Sequence, residues 1–554
     1  MLRLALILGL LLALLAGVFV WSRGASQGRA DFTIVNRGDI RTLDPNRMSW
    51  LEDIRVGYGL WEGLYALDPK TLAPIPGVAK RTDISPDQRI YTFHLRPDAR
   101  WSNGDPVTAS DFVFAWRRML DEPSNYSYLF RGIRGVRQYQ EDLAARRPPD
   151  FAPVGIRAVD PATLRVELDQ PIAYFPDLCA FAPFWPMHEP SMKRFYDPAG
   201  KSYGTGFTRP PNLVSNGPFR LVSWDFKRRL RLEANPHYWD RSQVQLKSVD
   251  VLIADSDMWG FLKYDSGAAD WLADASGPIG AELFAKKRRD FHSVVAMGSY
   301  YYTLNCKPRL PDGSANPLAD PRVRRALSLA LDRGPIVQSV TRMGEPPTML
   351  YIPPGVFAGY QSPTILGYDI AKARGLLSAA GYPGGKGFPH LSILYNGESL
   401  HADVAQMVRR QWMENLGIDI SLEGQEVRVF RQRLHDRDYA IARASWFGDY
   451  NAPSTFTDKY RSDSDNNEAC WANADYDRLL DQAARETDAA RRMDLFRQAE
   501  TLLLQEQPII PIYHYVSSSA YRNNVAGIAM NPRNMVMLKA IGVLKGSTGE
   551  RNHR

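Results

Sequence analysis

The chain has 554 residues, of which 44% are hydrophobic and 23% charged, so it is long enough for two or three globular domains and is not disordered. Lysine and arginine, 68 in all, exceed the 61 acidic residues, but they are scattered and form no tract that would follow a phosphate backbone. This pattern argues against nucleic acid as a partner, and the mild basic excess suits work near an anionic membrane.

The first predicted element is an apolar segment at the N-terminus. Arg3 precedes an unbroken run of apolar or small residues from Leu4 to Trp21. That run is longer than the apolar core of a usual signal peptide and approaches the length of a spanning helix. Residues 1–29 are therefore predicted to be either an export signal or an N-terminal membrane anchor. We expect the rest of the chain in the periplasm or an equivalent extracytoplasmic space.

Short strands and helices alternate after this segment, which indicates an α/β or α+β fold. The first half is predicted to contain strands at residues 31–36, 90–95 and 164–172 and a helix capped by Thr108 or Ser110. The polar turn region at 196–216 is predicted to be a surface loop or a crossing point between domains. In the second half, helical spacing of apolar residues occurs at 320–337 and 401–417, and IIPIYHYV forms a strand after two amphipathic helices.

No motif for catalysis or metal binding stands out in the sequence. It contains no HExxH, and its nine histidines are dispersed. Its two GxSxG matches, Gly24–Gly28 and Gly200–Gly204, lie after the apolar run and in a polar turn region, not in the strand-to-helix turn of a nucleophile elbow. The three cysteines, Cys179, Cys306 and Cys470, form no CxxC pair, and at least one thiol is expected to be free or intermolecular because three cannot all pair. We expect no enzyme activity, no cofactor and no metal site.

One short stretch, ASWFGDYNAPSTF at residues 444–456, places a single carboxylate between a buried strand and a turn-rich loop. This carboxylate belongs to Asp449. The carboxyl end of a buried strand is where α/β proteins often hold a ligand, but an aspartate in a turn is also a common capping residue. The local pattern leaves both interpretations open.

Several segments, taken together, are similar to one family. They are IRTLDPN, LWEGLY, YTFHLRPDARWSNGDPVTASDFVFAWRR, SNGPFRLVSW, NPHYWD, VRRALSLALDR and the stretch around Asp449, spread over nearly the whole chain. In these segments the chain resembles the oligopeptide- and dipeptide-binding proteins of ABC importers, the extracellular solute-binding proteins of family 5. The resemblance implies an α/β fold of the type II periplasmic-binding-protein class, with two lobes joined by a hinge and an extra domain.

The resemblance also implies domain boundaries. They are residues 30–61, 188–297 and 521–554 for lobe I, residues 62–187 for the accessory domain II, and residues 298–520 for lobe III. The chain would cross between the lobes near Ser299 and again near residue 520. Two such crossings act as a hinge, and a ligand closes the cleft by contacting both lobes.

By the same resemblance, the chain captures short peptides and delivers them to an ABC permease, and we expect it to be a monomer. Asp449 is similar in position to the residue that binds the peptide ammonium. Arg443 is similar to a cleft residue that reaches a ligand carboxylate or pocket water; alternatively, Arg443 pairs with Asp449. The other implied ligand-binding positions, each also plausible as a core residue, are Trp446, His401, Tyr126 and Tyr515.

The chain also departs from the family pattern. The cysteines of the usual disulfide are replaced by Gly298 and Phe447, and an arginine is expected where Leu434 lies, with Arg433 beside it. For this reason no preference for peptide length or sequence is carried over. Two alternatives stay open: the same scaffold binding nickel, haem or a sugar, and an exported hydrolase.

Overall fold

The structure is a computed structural model that describes residues 28–365, 367–397 and 400–544. The predicted export signal or anchor lies, up to residue 27, outside the described residues. In the ranges that are described, no helix has the length and apolar character needed to cross a membrane.

Twenty strands fall within the described ranges. In chain order they are β1 Phe32–Arg37, β2 Tyr65–Leu67, β3 Pro74–Pro76, β4 Ala79–Ile84, β5 Ile90–Leu95, β6 Ile156–Asp160, β7 Thr163–Glu167, β8 Tyr196–Asp197, β9 Ser202–Tyr203, β10 Phe219–Asp225, β11 Arg229–Ala234, β12 Ser248–Ala254, β13 Trp271–Leu272, β14 Phe291–Leu304, β15 Leu391–Asn396, β16 Ile420–Gln425, β17 Ile441–Phe447, β18 Ile509–Tyr521, β19 Val525–Ala526 and β20 Gly542–Val543.

The α-helices lie between these strands and cover their faces. Their bounds are Leu51–Leu60, Ala109–Asp121, Val136–Ala144, Phe175–Leu178, Glu189–Met192, Asp257–Asp265, Gly277–Ala285, Pro321–Leu329, Gly334–Ile336, Ile370–Ala379, His401–Leu416, Val427–Asp436, Ser454–Thr457, Ala474–Arg485 and Ala489–Glu506. Strands and helices alternate along the chain, which confirms the predicted α/β class.

Two local predictions were wrong in part. The strand predicted at 164–172 ends at Glu167, and beyond it only a single bridge joins Leu168 to Ile133. The loop predicted at 196–216 contains the short antiparallel pair β8 and β9. In both places the pairing partner, which the local pattern does not reveal, decides where a strand begins or ends.

A mixed ten-stranded sheet extends through the molecule in the order β10-β11-β12-β1-β13-β18-β14-β17-β15-β16. The two longest strands, β14 and β18, pair antiparallel at its centre and connect the half that contains β1 with the half that contains β17. Their register is irregular between Val295 and Ser299. This irregularity lies next to the predicted first crossing near Ser299, while the lobe boundaries themselves stay a prediction.

A separate four-stranded antiparallel sheet, in the order β4-β5-β7-β6, forms within residues 79–167. Helix Ala109–Asp121 packs nearby through buried Phe112 and Trp116. The helix begins at the predicted cap: the backbone N–H and the hydroxyl of Thr108 both donate to the Asp111 carboxylate, at 2.8 and 3.0 Å. This sheet lies within residues 62–187, the range predicted for accessory domain II, and that range stays a prediction.

The centre of the large sheet is buried on both faces. Tyr300, Tyr301 and Tyr302 of β14 are fully buried. Because side chains alternate across a strand, Tyr300 and Tyr302 pack into an apolar core with helix His401–Leu416, whereas Tyr301 packs into a second core with helix Ala489–Glu506. Strand β17, next to β14, is therefore held on a rigid support.

Candidate functional site

Strand β17 has a partly unpaired edge. On one side its residues from Ile441 to Phe447 all pair with β14. On the other side, β15 pairs only with Ile441 and Ala442. In the stretch Arg443–Phe447, every second residue points its backbone N–H and C=O groups away from β14. On that side of β17, the described part of the chain places no strand that could accept these hydrogen bonds. Such an edge can accept an extended chain as an added strand.

The side chains of β17 alternate between two environments. Trp446 lies on the face toward helix Ala489–Glu506 and packs against its apolar core. The indole Nε1 of Trp446 donates to the carbonyl oxygen of Thr455 at 2.6 Å, and Lys459 Nζ lies 4.8 Å from the ring centroid. Arg443 lies on the opposite face, so the two predicted site residues of this strand lie in different environments.

Asp449 follows β17, and its carboxylate has no basic partner among the described residues. The Tyr128 hydroxyl donates to its Oδ2 at 2.6 Å, and its backbone N–H donates to the Thr455 hydroxyl at 2.8 Å. Among the described residues, no lysine, arginine or histidine nitrogen lies within 4.0 Å of this carboxylate. Arg533 instead donates to the main-chain oxygen of Asp449 at 2.7 Å and pairs with the Asp177 carboxylate at 3.3 Å.

Burial affects the protonation of this group. It raises the pKa of the Asp449 carboxyl above its ordinary value, against the opposing effect of the Tyr128 hydrogen bond. Burial and the charge of Asp449 also raise the pKa of Tyr128, so this hydroxyl keeps its proton and acts as a donor. A cation placed against Asp449 would restore part of the solvation that the carboxylate loses on burial.

A cavity of about 1070 Å³ adjoins the carboxylate. Two parts of the chain, residues 125–178 and 446–496, form its wall, and Tyr126, Trp446 and Asp449 all line it. The volume is slightly above the ~300–1,000 Å³ usual for small-molecule sites. Within the described ranges, no group of three or more His, Cys, Asp or Glu side chains is placed to hold a metal ion.

Arg443 belongs to a second cluster, outside the lining of this cavity. Its Nη2 donates to the Tyr515 hydroxyl at 3.0 Å, and its guanidinium carbon lies 5.1 Å from the centroid of the Tyr300 ring. The His401 ring lies 5.6 Å from the same ring, and burial together with the Arg443 charge lowers the pKa of His401 to about 3. In the part of the chain that the structure describes, no carboxylate lies within 4.0 Å of Arg443.

The structure thus divides the six predicted ligand-binding residues into two groups. Tyr126, Trp446 and Asp449 face the cavity, whereas Arg443, His401 and Tyr515 form the cluster beside it. The alternative ion pair between Arg443 and Asp449 is not formed.

Sequence reasoning missed three residues at this site: Tyr128, Asp177 and Arg533. Tyr128 lies two positions after Tyr126 in NYSYLF, and a second tyrosine at that spacing was a usable signal. Nothing local to Asp177 or Arg533 indicates a contact with the region of Asp449, because these residues are far apart in sequence.

The departures from the family pattern have structural counterparts. Gly298 and Phe447 are direct cross-strand partners on β14 and β17, and a Cβ atom added at Gly298 would lie 2.5 Å from the Phe447 ring. Arg433 is engaged by Glu423 and Asp438, at 2.8 Å each, and so already has its counter-ions.

Most of the chain matches one known protein family. Residues 73–468 match the family model described as bacterial extracellular solute-binding proteins, family 5 middle. The chain is 32% identical over 471 residues to the oligopeptide-binding protein OppA of Bacillus subtilis, with 82% of each chain covered.

Two solved structures extend this similarity to the fold. The murein tripeptide binding protein MppA of Escherichia coli is 30% identical, with a TM-score of 0.76 over 94% of this chain and 100% of that one. Haemophilus influenzae OppA, in complex with RPPGFSPFR, is 28% identical, with a TM-score of 0.74 and the same coverage.

Proposed function

Because the chain belongs to the bacterial extracellular solute-binding proteins of family 5, we propose that it captures short peptides outside the cytoplasmic membrane and delivers them to the permease of an ABC importer. One observation carries this proposal. The Asp449 carboxylate, which has no basic partner among the described residues, adjoins a large cavity at the end of an open strand edge. Relatives named as peptide-binding proteins support it.

The peptide ammonium would bind at Asp449. Every free peptide has this group, whatever its side chains, so one fixed anion serves a receptor of mixed peptides. Tyr128 holds Oδ2 of the carboxylate by its 2.6 Å hydrogen bond, which orients the group before the ligand arrives. Since desolvation offsets much of the attraction between buried charges, the pair would mainly set the register of the peptide.

The peptide main chain would pair with the unpaired edge of β17 at Arg443–Phe447. Main-chain hydrogen bonds do not depend on sequence and therefore suit many peptides. Arg443 would receive a carboxylate from the ligand, because its guanidinium contacts Tyr515 and Tyr300 and has no carboxylate within 4.0 Å among the described residues.

The ligand class is tested by native mass spectrometry of the purified full chain. We expect a monomer with a ladder of co-purified masses that correspond to mixed short peptides. A single metal, haem or sugar mass would instead show another solute on the same scaffold. Incubation with added peptides and chromatography of the products tests the hydrolase alternative, since a receptor returns the peptides intact.

The ammonium site is tested with Asp449→Asn and matched ligands. We expect the variant to bind free peptides 10–100-fold more weakly, in line with the loss of a charge-assisted hydrogen bond, and to bind N-acetylated peptides almost unchanged. Asp169→Asn is the control, because Asp169 is an exposed acid in the lining of the same cavity. Equal losses for both ligands would show that Asp449 is only a turn residue.

The role of Arg443 is tested with peptides that differ at the C-terminus. Arg443→Gln keeps a donor for Tyr515 but removes the positive charge. We expect it to weaken peptides with a free C-terminal carboxylate about 10–100-fold and to leave C-terminally amidated peptides of neutral sequence much less affected. If amidated and free peptides lose affinity equally, Arg443 supports the tyrosine cluster and does not contact the ligand carboxylate.

The apolar run Leu4–Trp21 would keep the receptor at the membrane that contains its permease. Membrane fractionation, followed by intact-mass measurement, tests this attachment. A membrane-bound chain with residues 1–29 retained supports the anchor, and a shortened chain released by osmotic shock shows a cleaved export signal.

A further inference from the structure

Cys306 and Cys470 meet in the fold although they are distant in sequence. The backbone N–H of Cys306 donates to the carbonyl oxygen of Ala469 at 2.8 Å, and Cys470 is the next residue. The bond lengths of the peptide unit therefore put the two Cα atoms within roughly 7 Å of each other. Disulfides bridge Cα atoms that are about 4.4–6.8 Å apart, so the backbone is at or near a bridgeable separation.

The two segments are tied together independently of the thiols. The Tyr439 hydroxyl donates to the Glu468 carbonyl at 2.6 Å, and the Asn305 side-chain amide donates to the Tyr439 carbonyl at 3.0 Å. Tyr439 thus connects the residue before Cys306 with the segment that leads into Cys470. These bonds hold the two cysteines in proximity in the reduced chain.

Neither thiol has a strong hydrogen-bond partner among the described residues. The Cys306 sulfur lies 3.4 Å from the carbonyl oxygen of Leu304, and the Cys470 sulfur lies 3.7 Å from that of Glu468. Both are weak local contacts with a residue two positions earlier. Both side chains are partly exposed, so an oxidant can reach them, whereas Cys179 is fully buried. Cys470 also has a φ of +52°, a backbone conformation that L residues other than asparagine and aspartate rarely adopt.

We propose that Cys306 and Cys470 form an intramolecular disulfide once the chain is outside the cytoplasm. The inference depends on export of the chain and not on which solute it binds. Disulfides persist in oxidising extracytoplasmic compartments, and the family's usual cysteine positions are occupied here by Gly298 and Phe447. The new bond would join the end of β14 to the segment before helix Ala474–Arg485.

The oxidant would be a disulfide, either of a thiol–disulfide oxidoreductase or of a small molecule. The Cys470 thiolate attacks one sulfur of that disulfide, which releases one thiol and leaves a mixed disulfide. The Cys306 thiolate then attacks the Cys470 sulfur and expels the second thiol, so two protein thiols lose two electrons and two protons to the oxidant. Burial raises the pKa of Cys306 to about 11, which makes it a poor first nucleophile and assigns it the second, intramolecular step.

The bond would stabilise one wall of the cavity. The segment from Asp463 to Asn466, a few residues before Cys470, lines the cavity. Lys459 Nζ holds this segment by donating to the Asn466 carbonyl at 2.6 Å. A crosslink at Cys470 would restrict the segment further and close a long loop of the unfolded chain, which raises the melting temperature.

The test is a thiol count on the full chain, exported to a bacterial periplasm and purified without reductant. After denaturation and reaction with a maleimide polymer, we expect one labelled thiol, that of Cys179, and three after prior reduction. Unreduced digestion should yield one crosslinked peptide that contains Cys306 and Cys470. Three labelled thiols, or a link that includes Cys179, would overturn the assignment.

Serine variants provide the matched controls. Cys179→Ser should show no labelled thiol before reduction, whereas Cys306→Ser and Cys470→Ser should each show two. Reductant should lower the melting temperature by several degrees in the unmodified chain and in Cys179→Ser, but not in Cys306→Ser. The thiol count of the unmodified chain decides the question if a variant fails to fold.

Discussion

At the scale of single residues, the charge of Asp449 determines how binding should respond to pH. Burial raises its pKa above 3.8, and a bound ammonium would lower it again, so binding favours the charged carboxylate. Affinity for free peptides should therefore fall as the pH drops through the raised pKa of Asp449. It should fall again above pH ~8, where the peptide α-amino group loses its proton.

Titration calorimetry between pH 4 and 9 measures this profile. Asp449→Asn should lack the acidic decline, and N-acetylated peptides should lack the alkaline one. His401 provides no competing explanation between pH 5 and 8, because its pKa of about 3 keeps it neutral there. An acidic decline that persists in Asp449→Asn would assign the titration to another group.

At the scale of elements, the pairing of β14 with β17 depends on a glycine, Gly298, at the position that faces Phe447. The Phe447 ring covers Gly298, and a methyl group there would lie 2.5 Å from two ring atoms. We expect Gly298→Ala to destabilise the protein by about 1–3 kcal/mol through overpacking, as measured by denaturant unfolding. Combining it with Phe447→Ala should remove most of this added loss. Additive losses would show that the ring moves aside without cost.

Helix Ala489–Glu506 carries a buried carboxyl that links it to the chain near Tyr351. Glu500 accepts the backbone N–H groups of Tyr351 and Ile352, both at 2.8 Å, and the Tyr360 hydroxyl donates to it. Burial raises the pKa of Glu500 to about 7 from an ordinary 4.5. The folded chain therefore binds a proton that the unfolded chain has already lost between these pH values.

The sign of the resulting pH dependence follows from this difference. The contribution of Glu500 is complete below pH 4.5 and is lost as the pH rises through about 7. Between these two pH values, the free energy of unfolding of the unmodified chain should decrease by on the order of 3 kcal/mol relative to that of Glu500→Gln. Urea unfolding of both chains at pH 4.5, 6 and 7.5 measures the effect, and parallel curves would contradict it.

At the scale of the whole molecule, Arg533 joins three parts of the chain. The buried ion pair with Asp177 connects the tail to predicted domain II, and the bond to the Asp449 carbonyl connects it to predicted lobe III. The Asn451 backbone N–H also donates to Asp177 at 2.8 Å. One ion pair therefore supports the wall of the cavity from both sides.

Arg533→Met should leave Asp177 buried without its cation and lower the unfolding free energy by about 3–5 kcal/mol. The variant should also bind free and N-acetylated peptides more weakly by the same factor, because it makes the cavity wall less rigid and leaves the ammonium partner Asp449 in place. Calorimetric melting and binding of both ligand types check this. Adding Asp177→Asn should recover part of the stability, and no recovery would show that the uncompensated charge is not the cause.

The local elements of this protein were determined by its sequence alone. The spacing of apolar residues predicted helix His401–Leu416, and Thr108 marked the start of helix Ala109–Asp121, because both signals depend on residues within a few positions of one another. The α/β class and the family also followed from the sequence, since their motifs are spread over nearly the whole chain.

Only the tertiary structure decided how these parts make a site. Within the described residues it left the β17 edge unpaired from Arg443 to Phe447. It also separated the six predicted residues into two groups and brought Tyr128 and Arg533 to Asp449. The contact of Cys306 with the residue next to Cys470 has the same origin. Each of these arrangements joins residues that are distant along the chain, and no periodicity or spacing within one segment records such a contact.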